Sequence, residues 1–322
     1  MRSGTLLELR NAQACGREEI PALNVMHFRE RVVTRVALGL RLVTLFGLSA
    51  EGERVQLLAV LANDAEGTLE LVRTEVADRF PSLTPDCPQA ARFEREICEQ
   101  MGLLPEGHPW LKPLRSPTGA HRGPGPMDLH DPTLPIGADY PFFAMRGDEV
   151  HEVAVGPVHA GVIEPGHFRF QCHGENVFHL EIVLGYQHRG VESLLCSAPA
   201  RRRNALVESV AGDTAVGHAL AHARAVEGLC GIEAPARAAA LRAVALELER
   251  LANHVGDLGA LAGDVGFQPT AAACGALRAE YLNALAELCG NRFGRGLVVP
   301  GGVRHDLSPD AAARLAMRIG QA

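Results

Sequence analysis

Residues 116–145 constrain this chain most, because they have little capacity to fold alone. Ser116-Pro117-Thr118-Gly119, Gly123-Pro124-Gly125-Pro126 and the spaced Pro132 and Pro135 fall within 30 positions. Proline withholds an amide and glycine is costly to order, so the stretch reads as an extended linker. It divides 322 residues, more than one average core needs, into a domain over 1–115 and another over 146–322.

The first domain mixes helix and strand signals. Glu30–Leu38 is a short helical candidate. Arg41–Phe46 and Val55–Ala62 are apolar runs separated by the turn at 47–53, which predicts a hairpin. Leu69–Phe80 has helical spacing, stopped by Pro81, Pro85 and Pro88, and Gln89–Met101 is a further helix.

In the second domain Glu152–Val158, His167–Cys172 and Val177–Leu184 read as strands, the last two joined by His173-Gly174-Glu175-Asn176. Asn204–Leu229, Ala236–Leu261 and Cys274–Leu288 carry apolar residues at helical spacing, with Pro235 suited to a helix start. The expected fold class is α+β: a small mixed domain, a linker, then a small sheet leading into a long-helix bundle.

Composition excludes several classes. A net charge of -7 with one short basic run, Arg201-Arg202-Arg203, argues against nucleic acid; that run reads as a solvated turn or a contact with another polypeptide. The best candidate for a membrane span, Val36–Leu48, is too short and is broken by Arg41. Charged residues interrupt the N-terminus, so no signal peptide is expected and the chain is placed in the cytoplasm. The eight cysteines include no C-x-x-C pair and read as buried free thiols. Phosphate-loop, dinucleotide, nucleophile-elbow and H-E-x-x-H motifs are missing.

Longer blocks carry a resemblance. Phe93-Glu94-Arg95-Glu96-Ile97-Cys98-Glu99-Gln100-Met101-Gly102-Leu103 followed by Gly107-His108-Pro109-Trp110-Leu111 resembles the signature of the C-type component of complex I, the NADH-quinone oxidoreductase. That signature is W-E-R-E-x-x-D-x-x-G-I then G-H-P-x-L. Phe93 stands for the tryptophan and Glu99 for the aspartate. The Glu-Arg-Glu helix face reads as an ion-pair edge with a structural or docking role.

The later part resembles the D-type component of complex I, a family shared with the large subunits of energy-converting nickel-iron hydrogenases. Gly156-Pro157-Val158-His159 and Glu164-Pro165-Gly166-His167-Phe168-Arg169 are similar to its opening, and Gly185-Tyr186-Gln187-His188-Arg189-Gly190-Val191-Glu192 to the next block. Pro235, Arg237, Arg242 and Glu247-Leu248-Glu249-Arg250-Leu251 resemble P-x-R-A…L-E-x-E-R-L, and Gly301-Gly302-Val303-Arg304-His305-Asp306-Leu307 resembles G-G-x-R-x-D-L. A C-type sequence ahead of a D-type one is the fusion order of the formate-hydrogenlyase type. The resemblance implies a subunit of a membrane-associated oxidoreductase, not catalytic alone. It would sit on the inner face of the membrane beside an iron-sulfur small subunit and membrane subunits.

The family's nickel-binding segment reads V-C-G-x-C-x-x-x-H, whereas here Val210-Ala211-Gly212-Asp213-Thr214-Ala215-Val216-Gly217-His218 puts alanine and threonine at the thiolate positions. The family's second cysteine pair is expected well beyond residue 307, so the chain reads as a C-terminally short member or a fragment. We expect no metal and no cofactor held by this chain, with the iron-sulfur cluster in a neighbouring subunit. Quinone is a further ligand the resemblance raises, but Ile163 replaces its histidine and 191–210 offer no tyrosine.

What remains is a polar set that the resemblance gathers round the former metal cleft: Glu164, His159, His167, Arg189, Asp213 and His218. A carboxylate among histidines and an arginine suits proton relay near neutral pH. The alternative is a satisfied buried network that fixes the sheet against the helices. Asp213 also reads as a helix cap. His218 and His222, four apart, share a helix face but lack a third ligand, so they read as one core and one surface histidine.

Overall fold

The computed structural model describes residues 7–50, 54–112, 114–115, 142–158 and 165–321. Residues 116–141, most of the expected linker, lie outside them. The chain forms two compact units, Met1–Asn11 with Cys15–Arg189, and Ala12–Ala14 with Gly190–Ala322.

In the first unit, β1 (Leu7–Arg10), β2 (Arg41–Ser49), β3 (Val55–Asn63) and β4 (Thr68–Val76) form an antiparallel sheet in the order β1-β4-β3-β2. The predicted hairpin is β2–β3. The segment expected to be a helix over Leu69–Phe80 is instead β4 and the start of β5 (Arg79–Pro81), which pairs in parallel with β6 (Leu104–Glu106). Its helix formers are overridden because β1 and β3 flank it on both sides and Val72 and Val76 enter the core. Helix α1 (Val25–Ala37) starts earlier than expected, where Asn24 Oδ1 accepts the amide of His27 at 2.9 Å. With α2 (Ala91–Met101) it buries Phe28, Val32, Leu57, Leu61, Phe80 and Ile97 on one sheet face.

The E-R-E helix is more than an ion-pair edge. Glu94 is fully buried, and its carboxylate accepts the hydroxyls of Ser82 at 2.6 Å and Thr84 at 2.5 Å and the amide of Leu83 at 2.6 Å. Arg95 Nε donates to the carbonyl of Lys112 at 2.8 Å, Glu96 pairs with Arg115 at 2.6 Å, and Glu99 accepts the amide of Arg115 at 2.9 Å. The helix therefore fixes two loops, Ser82–Thr84 and the segment after the His-Pro-Trp anchor.

β7 (Val150–Val155), β8 (His167–His173) and β9 (Asn176–Val183) form an antiparallel three-stranded sheet. It groups with the first unit, which runs to Arg189. A buried pair ties the sheet to that unit. Lys112 Nζ donates to the carbonyl of Ile182 at 2.9 Å and lies 3.5 Å from Glu181, with both side chains almost fully buried. Burial pulls the Lys112 ammonium below its usual range, which the Glu181 charge opposes.

The second unit is helical: α3 (Val191–Ser197), α4 (Ala200–Val207), α5 (Ala215–Cys230), α6 (Ala236–Asp264), α7 (Gln268–Cys289) and α8 (Pro309–Gln321), with the short hairpin β10 (Val298–Val299) and β11 (Gly302–Val303) before α8. The single helix expected over Asn204–Leu229 is two. After α4 the Glu208 carboxylate accepts the amide of Gly296 at 2.8 Å, and the chain leaves the helix until Ala215. Val216, Ala223, Ala245, Leu248, Leu285 and Leu297 form the core.

Replacing Glu94 by alanine strands three buried donors, so Glu94→Ala should lower stability by roughly 3 kcal/mol. Urea unfolding of the purified chain measures it, and a loss within error of zero would contradict this account of the loop.

Candidate functional site

Of the six expected site residues, His159 and Glu164 lie outside the described residues. His167 and Arg189 belong to the first unit, Asp213 and His218 to the second.

His167 opens β8, half-buried. Arg169 Nε points at its Nε2 at 3.3 Å, and its Nδ1 lies 3.3 Å from the carbonyl of Gly156. Arginine only donates, so Nε2 accepts and Nδ1 carries the proton. The acceptor lone pair that a relay would use is thus engaged. Arg169 continues to Glu152 at 3.0 Å and covers the Phe142 ring at 4.0 Å. Arg189 is exposed beyond β9, just before α3.

Val210–His218, the segment that resembles the nickel-binding stretch, runs from the loop after α4 into the first turn of α5, and this junction is built by three helices. Asp213 does not cap α5 with its side chain; its carboxylate pairs with Arg278 of α7 at 3.3 Å. Asn253 of α6 donates to the Asp213 carbonyl at 2.9 Å. The cap comes from Glu249 of α6, whose two oxygens accept the amides of Val216 at 2.7 Å and Gly217 at 2.9 Å. These are the second and third amides of α5, those a side-chain cap serves. A carboxylate there also faces the positive end of the helix dipole. Gly217 allows the approach, since a Cβ there would lie 3.2 Å from Glu249 Oε1 and 3.0 Å from Thr214 Cγ2. Burial raises the Glu249 pKa, the two amides oppose that, and the nearby Asp213 charge adds to it. His218 follows on the first turn of α5, half-buried. The next turn brings His222, whose pKa burial lowers, with Arg203 adding to the effect.

A thiolate-held nickel does not fit this loop. Ala211 presents a methyl and Thr214 a hydroxyl, neither a soft donor. Among the described residues no three His, Cys, Asp or Glu side chains gather as a metal site.

The remaining motifs are braces. Arg237 reaches Asp306 at 2.7 Å and the carbonyl of Leu307 at 2.6 Å. Buried Arg242 pairs with buried Glu227 at 2.6 Å and donates to the carbonyls of Val299 and Gly302, while Glu227 accepts the amide of Gly301 at 2.7 Å. Hydrogen bonding to Arg242 holds the Glu227 carboxyl below its usual range.

Residues 26–132 match the family described as respiratory-chain NADH dehydrogenase, 30 Kd subunit. The chain is 34% identical to hydrogenase-4 component G of Escherichia coli over 71% of its own length and 42% of that protein. It is 33% identical to formate hydrogenlyase subunit 5 of Escherichia coli over 74% of itself and 44% of that protein. The chain is similar to fused C/D-type NADH-quinone oxidoreductase components and related hydrogenase large subunits. It spans less than half the length of the two Escherichia coli relatives. In fold it is similar to a chain in the structure of the membrane-bound sulfane sulfur reductase, an archaeal respiratory membrane complex. The TM-score is 0.51 at 22% identity, covering 54% of this chain and 46% of that one.

Reading the sequence missed the roles of Glu249 and Arg278. Glu249 sits inside the quoted L-E-x-E-R-L block, three residues after Leu246, which packs against the helical core; that was the available signal. Arg278 had none, because its partner lies 65 positions away.

A carboxyl that holds its proton more tightly when folded contributes most below its ordinary value, 4.5, and loses that contribution as pH rises through the folded value. Wild type should therefore lose stability relative to Glu249→Gln as pH rises from 4.5. Paired urea unfolding curves across pH test this; a constant difference would refute it.

Proposed function

We propose that the chain is a subunit of a membrane-associated, complex I-like or energy-converting-hydrogenase-related oxidoreductase, contributing to electron transfer and proton coupling without its own nickel-iron centre. The observation that carries the reading is the 34% identity to hydrogenase-4 component G across 71% of this chain, joined to a loop with no thiolate at 211 or 214. Its partners are an iron-sulfur subunit, which holds the cluster, and membrane subunits. Among the described residues no helix is long and apolar enough to cross a membrane. In this reading the association is peripheral, on the inner face, through those partners.

In this reading Glu164, His159, His167, Arg189, Asp213 and His218 are the candidate proton-relay residues. His167 would enter it only after Arg169 releases Nε2, and Asp213 only by exchanging Arg278. A second reading, a non-catalytic scaffold, is favoured by one observation: Arg237, Arg242, Glu227 and Glu249 are all engaged as braces.

Purification of the tagged full chain in mild detergent should bring down an iron-sulfur polypeptide and membrane subunits, with nickel below about a tenth of an equivalent. A chain that purifies alone, or with stoichiometric nickel, overturns the proposal. In the assembly, Glu164→Gln should cut proton-coupled turnover by roughly 10-fold or more. Unchanged turnover would leave only the scaffold.

A further inference from the structure

Among the described residues, the three-stranded sheet keeps its apolar side partly exposed. Its charged side is the covered one: Arg169 and Gln171 bind Glu152 at 3.0 and 2.8 Å, Phe142 lies under Arg169, and Glu181 accepts the amide of Phe143 at 3.0 Å. On the opposite side the register sets Val153, Phe170 and Leu180 in one row across the strands and Val155, Phe168 and Ile182 in the next. Val153 and Ile182 remain 40% exposed and Leu180 42%. With Phe178 alongside, the uncovered area is on the order of 500 Å², the upper end of what a free monomer keeps in one patch.

The rim of this face is acidic at one end. Val150 pairs with His173 and His173 with Asn176, so the start of β7 and the β8–β9 turn meet there, bringing exposed Asp148, Glu149 and Glu175 together. Glu149 is held by His173 at 2.6 Å. Such a rim repels an anionic bilayer. It also disfavours a second copy, which carries a net charge of -7 itself. A patch of this size falls short of the roughly 800 Å² per partner that a stable pair needs, so it is the apolar centre of a wider contact.

We propose that this face docks a different polypeptide of the same assembly, one that presents an uncharged apolar centre with lysine or arginine at its edge. The proposal rests on the subunit reading above. Opposite rim charges set orientation and encounter rate, while the two apolar rows supply the desolvated centre.

The test places a benzophenone photo-crosslinker at Val153 or at Leu180 of the full chain, in the natively purified assembly. The expected crosslinks run from both sites to one other polypeptide, in an apolar segment flanked by lysine or arginine. Leu180→Glu should lower recovery of the chain with the assembly at least 10-fold while leaving its circular dichroism and thermal midpoint unchanged. Asp148→Lys with Glu175→Lys should lower it several-fold, with a weaker dependence on salt. Crosslinks into a second copy, or within the chain itself, overturn the proposal. So does binding of the free chain to phosphatidylglycerol vesicles that Leu180→Glu abolishes. An assembled chain that tolerates Leu180→Glu overturns the docking face alone, whereas wild-type chain found outside any assembly overturns the subunit reading as well.

Discussion

A carboxylate taken out of water must replace its hydration with fixed donors, and in this chain that requirement positions the loops round the motifs. Glu94 holds Ser82–Thr84, Glu99 holds Arg115, Glu208 holds Gly296, Glu227 holds Gly301, and Glu249 holds the start of α5. Each bond goes from a backbone amide of an irregular or terminal segment to a side chain anchored in a regular helix or its end. The low dielectric that makes an unmatched carboxylate costly also makes the matched one a strong locator. Four of the five lie in or pack against the blocks that carry the family resemblance, so those motifs describe a scaffold as much as a chemistry.

This explains what could be read from the sequence. Elements with their own periodicity and stops were legible: the β2–β3 hairpin, α2, α6 with Pro235 at its start, and the strands of the second sheet. Elements decided by distant partners were not. β4 has the residues of a helix and becomes a strand because β1 and β3 flank it. The break between α4 and α5 depends on Gly296, 88 positions from Glu208. At the site, spacing identified the loop that resembles the nickel-binding stretch and the replacement of its thiolates, but assigned the α5 cap to adjacent Asp213. The structure gives that cap to Glu249, 33 positions away from Val216, and leaves Asp213 to Arg278. Local reasoning favours a neighbour, while a helix hairpin brings a distant carboxylate to the same amides.

The two sheets show how polarity depends on what covers a strand. β3, central in its sheet, is apolar on both faces and buried on both. In the second sheet the alternation is clean, yet the charged face turns inward because Lys112 and the Phe142–Phe143 segment meet it with matching groups. Alternation alone fixes which residues share a face; it does not say which face is covered.

The absence of thiolates at 211 and 214 is compatible with this fold for a physical reason. Where metal ligation supplies the folding energy, removing the ligands removes the structure. Here the Glu208–Thr214 loop is held without any metal: Asn253 grips its carbonyl, Arg278 its carboxylate, and Glu249 the amides that follow. Those three groups come from α6 and α7, whose packing is apolar. A substitution at 211 or 214 therefore removes ligand chemistry while leaving the loop's support intact. The same support keeps the backbone path from the loop into α5 fixed whatever residues stand at 211 and 214.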